Sequence, residues 1–413
     1  MQHDRYELPI TTGSATARDA YVAGVDCVLS AAHGDRDHLE RAVAADPDFA
    51  LAHVALARAR ELAPNTTSRE ASHIDALCLA IEGKPVDSLA ATRRHLAEHP
   101  RDAMVAAPAT GVFGLIGFSG RQGRVPEQVA FLEPLKPHLA DDWWFQSVYA
   151  FALEEMGHLD EALDVIERSM ATNPANAHGA HIKAHVLYER GEDAAGLAWL
   201  DSWLPDYPKA GLMHCHISWH VAMFALVQGD SARAWQMYKD HVHPGGAWGP
   251  ALNVATDAPA FLWRAELAGQ PRDPALWQAL NEYERTCFPK PGIAFVEVHR
   301  VLSAVAAGDR AGLESYAAEL EKRVADGKAP SGDVVPRIAR GLVAYGAGDW
   351  NKAIAELEAA LPATVRIGGS RAQRDVVENT LIAAYLKAGR AADAHGRIKA
   401  HTDRRPSVPV AGL

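Results

Sequence analysis

The sequence predicts an all-α solenoid of helix–turn–helix units, and three observations predict it. Ala, Leu, Glu and Arg fill long amphipathic stretches, and these residues favour helix. Gly, Pro or Asp-Pro breaks the stretches every 12 to 20 residues or so, and no segment alternates with period two for long. One pattern also recurs at a fixed distance: 34 residues separate Gly157 from Gly191, and 34 separate Pro174 from Pro208.

Taken in chain order, degenerate helix pairs are expected over Thr16–Arg60, Ser68–Glu98 and Ala103–Leu139. Two clear units follow. Trp144 to Pro174 reads as helix, Gly157 turn, helix and Asn-Pro stop, and His178 to Pro208 repeats it around Gly191. With the turn glycine at position 15, the first unit has Ala150 at position 8 and Ala162 at 20, and the second has Ala184 and Gly196 there. Small residues at these places let paired helices approach closely, and 34 residues is the period of the tetratricopeptide repeat. A third unit, 216–244, carries Ala222, Gly229, Ala234 and Tyr238 and ends in a His243-Pro-Gly-Gly loop. A further degenerate pair is expected over Trp277–Val324. Gly341, Gly348, Ala353 and Leu357 mark the unit 335–362. Ile382, Tyr385, Gly389, Ala394, Ile398 and Pro406 mark the last, 376–406. About nine pairs account for the chain. The 413 residues would suggest two or three domains at roughly 150 each, but no linker divides them, so one repeat domain over 1–413, curled around a central concave pocket, is expected.

Composition narrows the function. Apolar residues make up 48% and charged residues 23%, as in globular proteins and unlike disordered ones. The formal net charge of −11 disfavours a nucleic-acid partner, which needs a basic footprint. Cys27, Cys78, Cys215 and Cys287 are scattered, without CxxC spacing, which suits a reducing cytoplasm. MQHDRYELPITTG lacks a signal pattern, and the apolar run Val105 to Phe118 is too short to span a bilayer. A cytoplasmic protein without membrane association is expected, with a homodimer possible because open solenoid ends often pair. No GxGxxG, P-loop, GxSxG, HExxH or DxDxDG motif is present.

The distinctive feature is histidine. Eight of the 20 histidines lie between 178 and 243. His181 with His185, and His216 with His220, are i, i+4 pairs that share helix faces. The first helix of a tetratricopeptide unit lines the groove. His178, His181 and His185 stand at positions 2, 5 and 9 of their unit, and His216, Trp219 and His220 at 2, 5 and 6 of the next. Trp144 stands at position 2 of the preceding unit, with Glu154 and Glu155 at 12 and 13. Three readings remain open. His181, His185, His216 and His220 can hold a divalent zinc, iron or manganese ion. The imidazoles can act as general acid and base without metal. They can also be hydrogen-bonded packing residues. The cofactor is therefore unknown.

At these residues the chain resembles the tetratricopeptide repeat protein 38 family, over nearly its whole length. The resemblance runs from Leu8-Pro-Ile-Thr-Thr and Ala45-Asp-Pro-Asp-Phe to the last repeat. It is carried by His181-x-x-x-His185 after Asn173-Pro174, by Cys215-His216-x-x-Trp219-His220, and by Asp257 with Arg264 seven residues on. Its most specific part is Gly368-Gly369-Ser370-x-Ala372-Gln373-Arg374-Asp375, and His299 and Glu155 fall where the family has like residues. The chain departs in having Leu187 where the family pattern has a second His, and in His214, which lacks a counterpart. The resemblance implies a fold and a site rather than a reaction.

From the residues, the expected site has His181, His185, His216, His220, Asp257 and His299 as proton carriers or ligands. Trp144, Glu155, Trp219, Gln373, Arg374 and Asp375 contact the substrate. Arg374 is expected to clamp a carboxylate, or else to join Asp375 in stitching the loop to its helix. Asp257, before Ala-Pro, is expected to cap a helix running into Phe261, the alternative being that it orients a histidine. Hydrolytic or acid/base chemistry on a small molecule is the expected activity, against a non-catalytic adaptor that holds a peptide in the same groove.

Overall fold

The structure is a computed structural model. It describes residues 2–56, 66–400, 404 and 409–413, with side chains of 54–56 left aside. Arg60, the expected end of the first pair, and Pro406 of the last repeat lie outside the described residues. Among the described residues the regular elements are helical except for a two-residue antiparallel pairing of Gln2–His3 with Pro9–Ile10. It divides into two compact units: Met1–Gly117 with Pro126–Ala152 and Glu161–Ile182, and Phe118–Val125 with Leu153–Asp160 and Lys183–Leu413.

In the first unit, Ala15–Ser30 and Asp35–Ala45 form a pair. A Cβ at Gly24 would stand 2.9 Å from Leu39 Cδ2, so glycine permits their approach. Ser68–Ile81 and Pro85–Glu98 form the next, at the expected place. Thr67 and Glu70 close a capping box at its start, and Pro85 begins the second helix where a missing N–H costs nothing. The expected pair over Ala103–Leu139 is corrected. There the chain makes short turns, Ala103–Ala106 and Ala107–Ala109, then a non-helical stretch, then Arg124–Leu132 and Lys136–Leu139. Pro108 and the glycines at 111, 114, 117, 120 and 123 explain it, since they weaken helix at every turn. Trp143–Glu155 then packs on Leu159–Thr172, where Ser169 Oγ donates to the Trp143 carbonyl at 2.7 Å. Trp143 and Trp144 are both buried.

The second unit holds the later repeats. His214–Val227 pairs with the short Ser231–Met237, Val334–Gly346 with Trp350–Ala360, and Arg371–Lys387 with Ala391–Lys399. The small residues act as the repeat requires. A Cβ at Gly196 would meet the Phe224 ring at 2.3 Å, and one at Gly341 would meet Leu357 at 2.7 Å. The turns share one device: Gly229, Gly308 and Gly348 take positive φ, and the next residue, Asp230, Asp309 or Asp349, caps the following helix with its carboxylate. The expected single pair over Trp277–Val324 is instead three helices, Pro274–Cys287, Ala294–Ala307 and Arg310–Ala325, because Phe288-Pro-Lys-Pro interrupts early and Gly308-Asp309 late. Among the described residues, no helix is long and apolar enough to cross a membrane.

Candidate functional site

Two helices carry the histidines. Ala177–Glu189 places His181 and His185 one turn apart on one face, and His214–Val227 does the same for His216 and His220. Each of the four offers one ring nitrogen, and these nitrogens all lie within 4.8 Å of one another. All four side chains are buried, from 0% exposed at His185 to 6% at His181. The His185 and His220 rings meet edge to face at 4.5 Å between centroids, and His216 and His220 at 5.0 Å. Burial, with neighbouring His216, holds His185 down to about 3. Burial and the rings of His185 and His216 hold His220 well below its ordinary value. Both are neutral at physiological pH, as ligation requires.

Asp257 explains the orientation of one ring. It lies in the middle of the helix Ala251–Leu267, not at its start, so the expected capping role is corrected. Pro259, tolerated inside this helix, had suggested a first turn. The buried Asp257 Oδ2 lies 2.7 Å from His216 Nδ1. Nδ1–H donates to the carboxylate, which turns the Nε2 lone pair to the other side of the ring. Trp219 stacks on the same ring at 5.5 Å with 9° between planes.

Arg264, two turns beyond Asp257 on the same face, ties this centre to the Gly-Gly-Ser segment. It is fully buried, its guanidinium lies 5.6 Å from the Trp219 ring, and it donates to the Ala372 carbonyl at 2.6 Å. Gln373 closes a capping box with Ser370, accepting from the Ser370 N–H at 3.0 Å. His299 donates from Nδ1 to the Phe295 carbonyl at 2.8 Å, and burial with nearby Arg264 pulls it down to about 4.

The charged residues pair otherwise than expected. Arg374 bonds the Gly369 carbonyl and reaches Glu155 Oε2 at 3.2 Å, and Glu155 Oε1 accepts from the Arg371 N–H at 2.5 Å. Asp375 is not its partner: Tyr188 at 3.0 Å and Arg404 at 2.5 Å hold that carboxylate. The stitching of loop to helix thus runs through Glu155, and the Arg374–Asp375 network is corrected. Trp144 lies buried in the first unit.

Sequence reasoning missed a second layer. Glu189 meets Arg404 Nε at 2.6 Å, and burial lifts its carboxyl to about 8 against that pull. Glu154 is fully buried, neither of its oxygens has a hydrogen bond among the described residues, and burial pushes it well above the usual carboxylate range. The signal was available for Glu154, which lies at a groove position beside Glu155; Arg404 had none.

No family model matches the chain. It is similar, at 12% identity and a TM-score of 0.33, to yeast Tom70, covering 93% of this chain and 97% of that one. It is likewise similar to a chain of the Naa15/Naa10 complex bound to HypK-THB, at 12% identity and a TM-score of 0.26. That match covers 93% of this chain but only 62% of the other. Neither likeness bears on the chemistry of the site.

Several buried polar atoms around Arg264 lack a hydrogen bond among the described residues: Trp219 Nε1, His299 Nε2 and Gln373 Nε2. Each such atom costs about 1–3 kcal/mol when left unsatisfied, so a ligand that meets them gains by that amount. These three atoms, two N–H donors and one acceptor, come from three separate helices, in addition to the imidazole nitrogens of the histidine centre.

Proposed function

We propose that His181, His185, His216 and His220 bind a divalent transition ion and that the chain is a metal-assisted hydrolytic or acid/base enzyme of a small polar molecule. The observation that carries the reading is the convergence of four buried imidazole nitrogens within 4.8 Å, with a carboxylate behind one of them. Imidazole suits zinc and iron, and Asp257 behind His216 is the partner that ligating histidines commonly have. The ion would supply Lewis acidity and an activated water. Asp257 fixes the tautomer of His216, while Trp219 Nε1–H and Gln373 Nε2–H are donors for a polar substrate. Burial of the imidazoles favours this reading over the adaptor, which needs an accessible lining.

The test is elemental analysis of purified, tag-free protein beside a His181→Ala/His216→Ala variant of verified fold. About one equivalent of zinc, iron or manganese in the wild type and none in the variant is the expected result. Wild-type protein that stays empty after incubation with each metal, iron anaerobically, overturns the proposal.

A further inference from the structure

A second constellation lies in the first unit, on the helices Ser68–Ile81 and Pro85–Glu98 and the turn after them. His95 Nδ1 lies 2.7 Å from Ser72 Oγ, and His95 Nε2 lies 3.0 Å from Asp102 Oδ2. Hydroxyl, imidazole and carboxylate therefore stand in line within hydrogen-bond reach. The His95 side chain is wholly buried, so its Nδ1 faces Ser72 and not solvent, while Ser72 is half-buried.

The surroundings favour a working relay over a cation site. Asp102 Oδ2 also receives His73 Nδ1 at 2.9 Å and Arg69 Nη2 at 2.6 Å. Burial opposes ionisation of Asp102, but His73, His95 and Arg69 together keep its carboxyl well below the usual range. A divalent ion on this oxygen would stand against the Arg69 guanidinium. Asp4 adds a second carboxylate 3.8 Å from the same guanidinium. With Asp102 accepting from His95 Nε2–H, Nδ1 is the basic nitrogen. The Ser72 hydroxyl has the Arg69 carbonyl at 2.9 Å as its other acceptor and Nδ1 as the nearer one.

We propose that Ser72 is a nucleophile activated by His95 and Asp102, acting on activated acyl groups such as thioesters and aryl esters. Ser72 Oγ attacks the acyl carbon while its proton passes to His95 Nδ1. The carbon–sulfur or carbon–oxygen bond breaks, and the leaving thiolate or aryloxide takes the proton from His95. Water then attacks the acyl-serine, giving one proton to His95, which returns it to Ser72 Oγ as the carboxylic acid departs. Good leaving groups are specified because the position of Ser72 at a helix surface offers the developing oxyanion little enclosure.

The experiment treats the full-length protein with a fluorophosphonate probe and maps the adduct by mass spectrometry. One phosphonyl group on Ser72, absent in Ser72→Ala, is expected. Labelling at least about a hundredfold slower in His95→Ala, and partly restored by added imidazole, is expected as well. A metal chelator should leave the rate unchanged, which separates this site from the histidine centre. No adduct on wild-type Ser72, an adduct on another serine only, or a His95→Ala rate equal to wild type in folded protein overturns the proposal.

Discussion

Asp257 shows how much one side chain decides. Replacing it with Ala leaves His216 without the acceptor at 2.7 Å that sets its tautomer. On the proposed function, metal affinity falls about 10- to 100-fold, measured by competition with a chromogenic chelator. Retained affinity in a folded variant would separate Asp257 from the centre. His299 gives a second prediction at this scale. Its folded value near 4 lies below the ordinary 6.5, so the unfolded chain binds the extra proton first. The stabilisation is complete above pH 6.5 and is lost as pH falls toward 4, by up to about 3 kcal/mol at 1.4 per unit. Denaturant titration across this range should show a steep loss in the wild type and a shallower one in His299→Asn. Equal slopes would contradict the assignment of acid sensitivity to this buried ring.

At the scale of elements, the repeats follow from where glycine and alanine stand. Gly196→Leu has no room against the Phe224 ring and should destabilise the chain by about 1–3 kcal/mol, seen as a lowered thermal midpoint. Ser370→Ala removes one half of a capping box and should cost about 1 kcal/mol by the same measurement. The regular units were legible because their turn glycines, small positions and helix lengths recur together. The segment after Ala103 was not, because its glycines read as breaks inside a pair when in fact they replace the pair. Asp257 was misread for a related reason. A proline two residues on signals a first helical turn, yet here the helix tolerates Pro259 in its interior. The histidine pairs were legible from i, i+4 spacing alone. His73, His95 and Asp102 were not, since their convergence depends on how two helices and a turn pack.

At the scale of the whole molecule, the two units are each assembled from three stretches of sequence. The stretches Phe118–Val125 and Leu153–Asp160 both belong to the unit that otherwise begins at Lys183. A fragment 183–413 therefore lacks Arg124, Glu154 and Glu155. Without Glu155, Arg374 loses its carboxylate and Arg371 its N–H acceptor. This fragment should melt well below the full chain by circular dichroism, and a midpoint equal to that of the full chain would show that the contacts of Glu155 with Arg374 and Arg371 do not stabilise the unit. Arg404 belongs to the same scale. It joins Glu189 and Asp375, so Arg404→Ala takes a buried guanidinium from both, leaving Asp375 the Tyr188 hydroxyl and Glu189 the more distant Arg371 at 3.7 Å, and should cost about 3 kcal/mol in denaturant unfolding.

Arg124 donates to the Val365 carbonyl at 2.6 Å and to the Gly369 carbonyl at 2.5 Å, across 241 and 245 residues of chain. On a ribosome adding roughly 5–20 residues each second, its partners appear some tens of seconds after it does. Throughout that interval the guanidinium lacks both carbonyl acceptors, with only Glu155, 3.9 Å away in the folded chain, made early, and the Gly368-Gly369 turn does not yet exist. Maturation of this unit thus cannot finish until translation has passed the Gly368-Gly369 turn, however fast the rest of it folds.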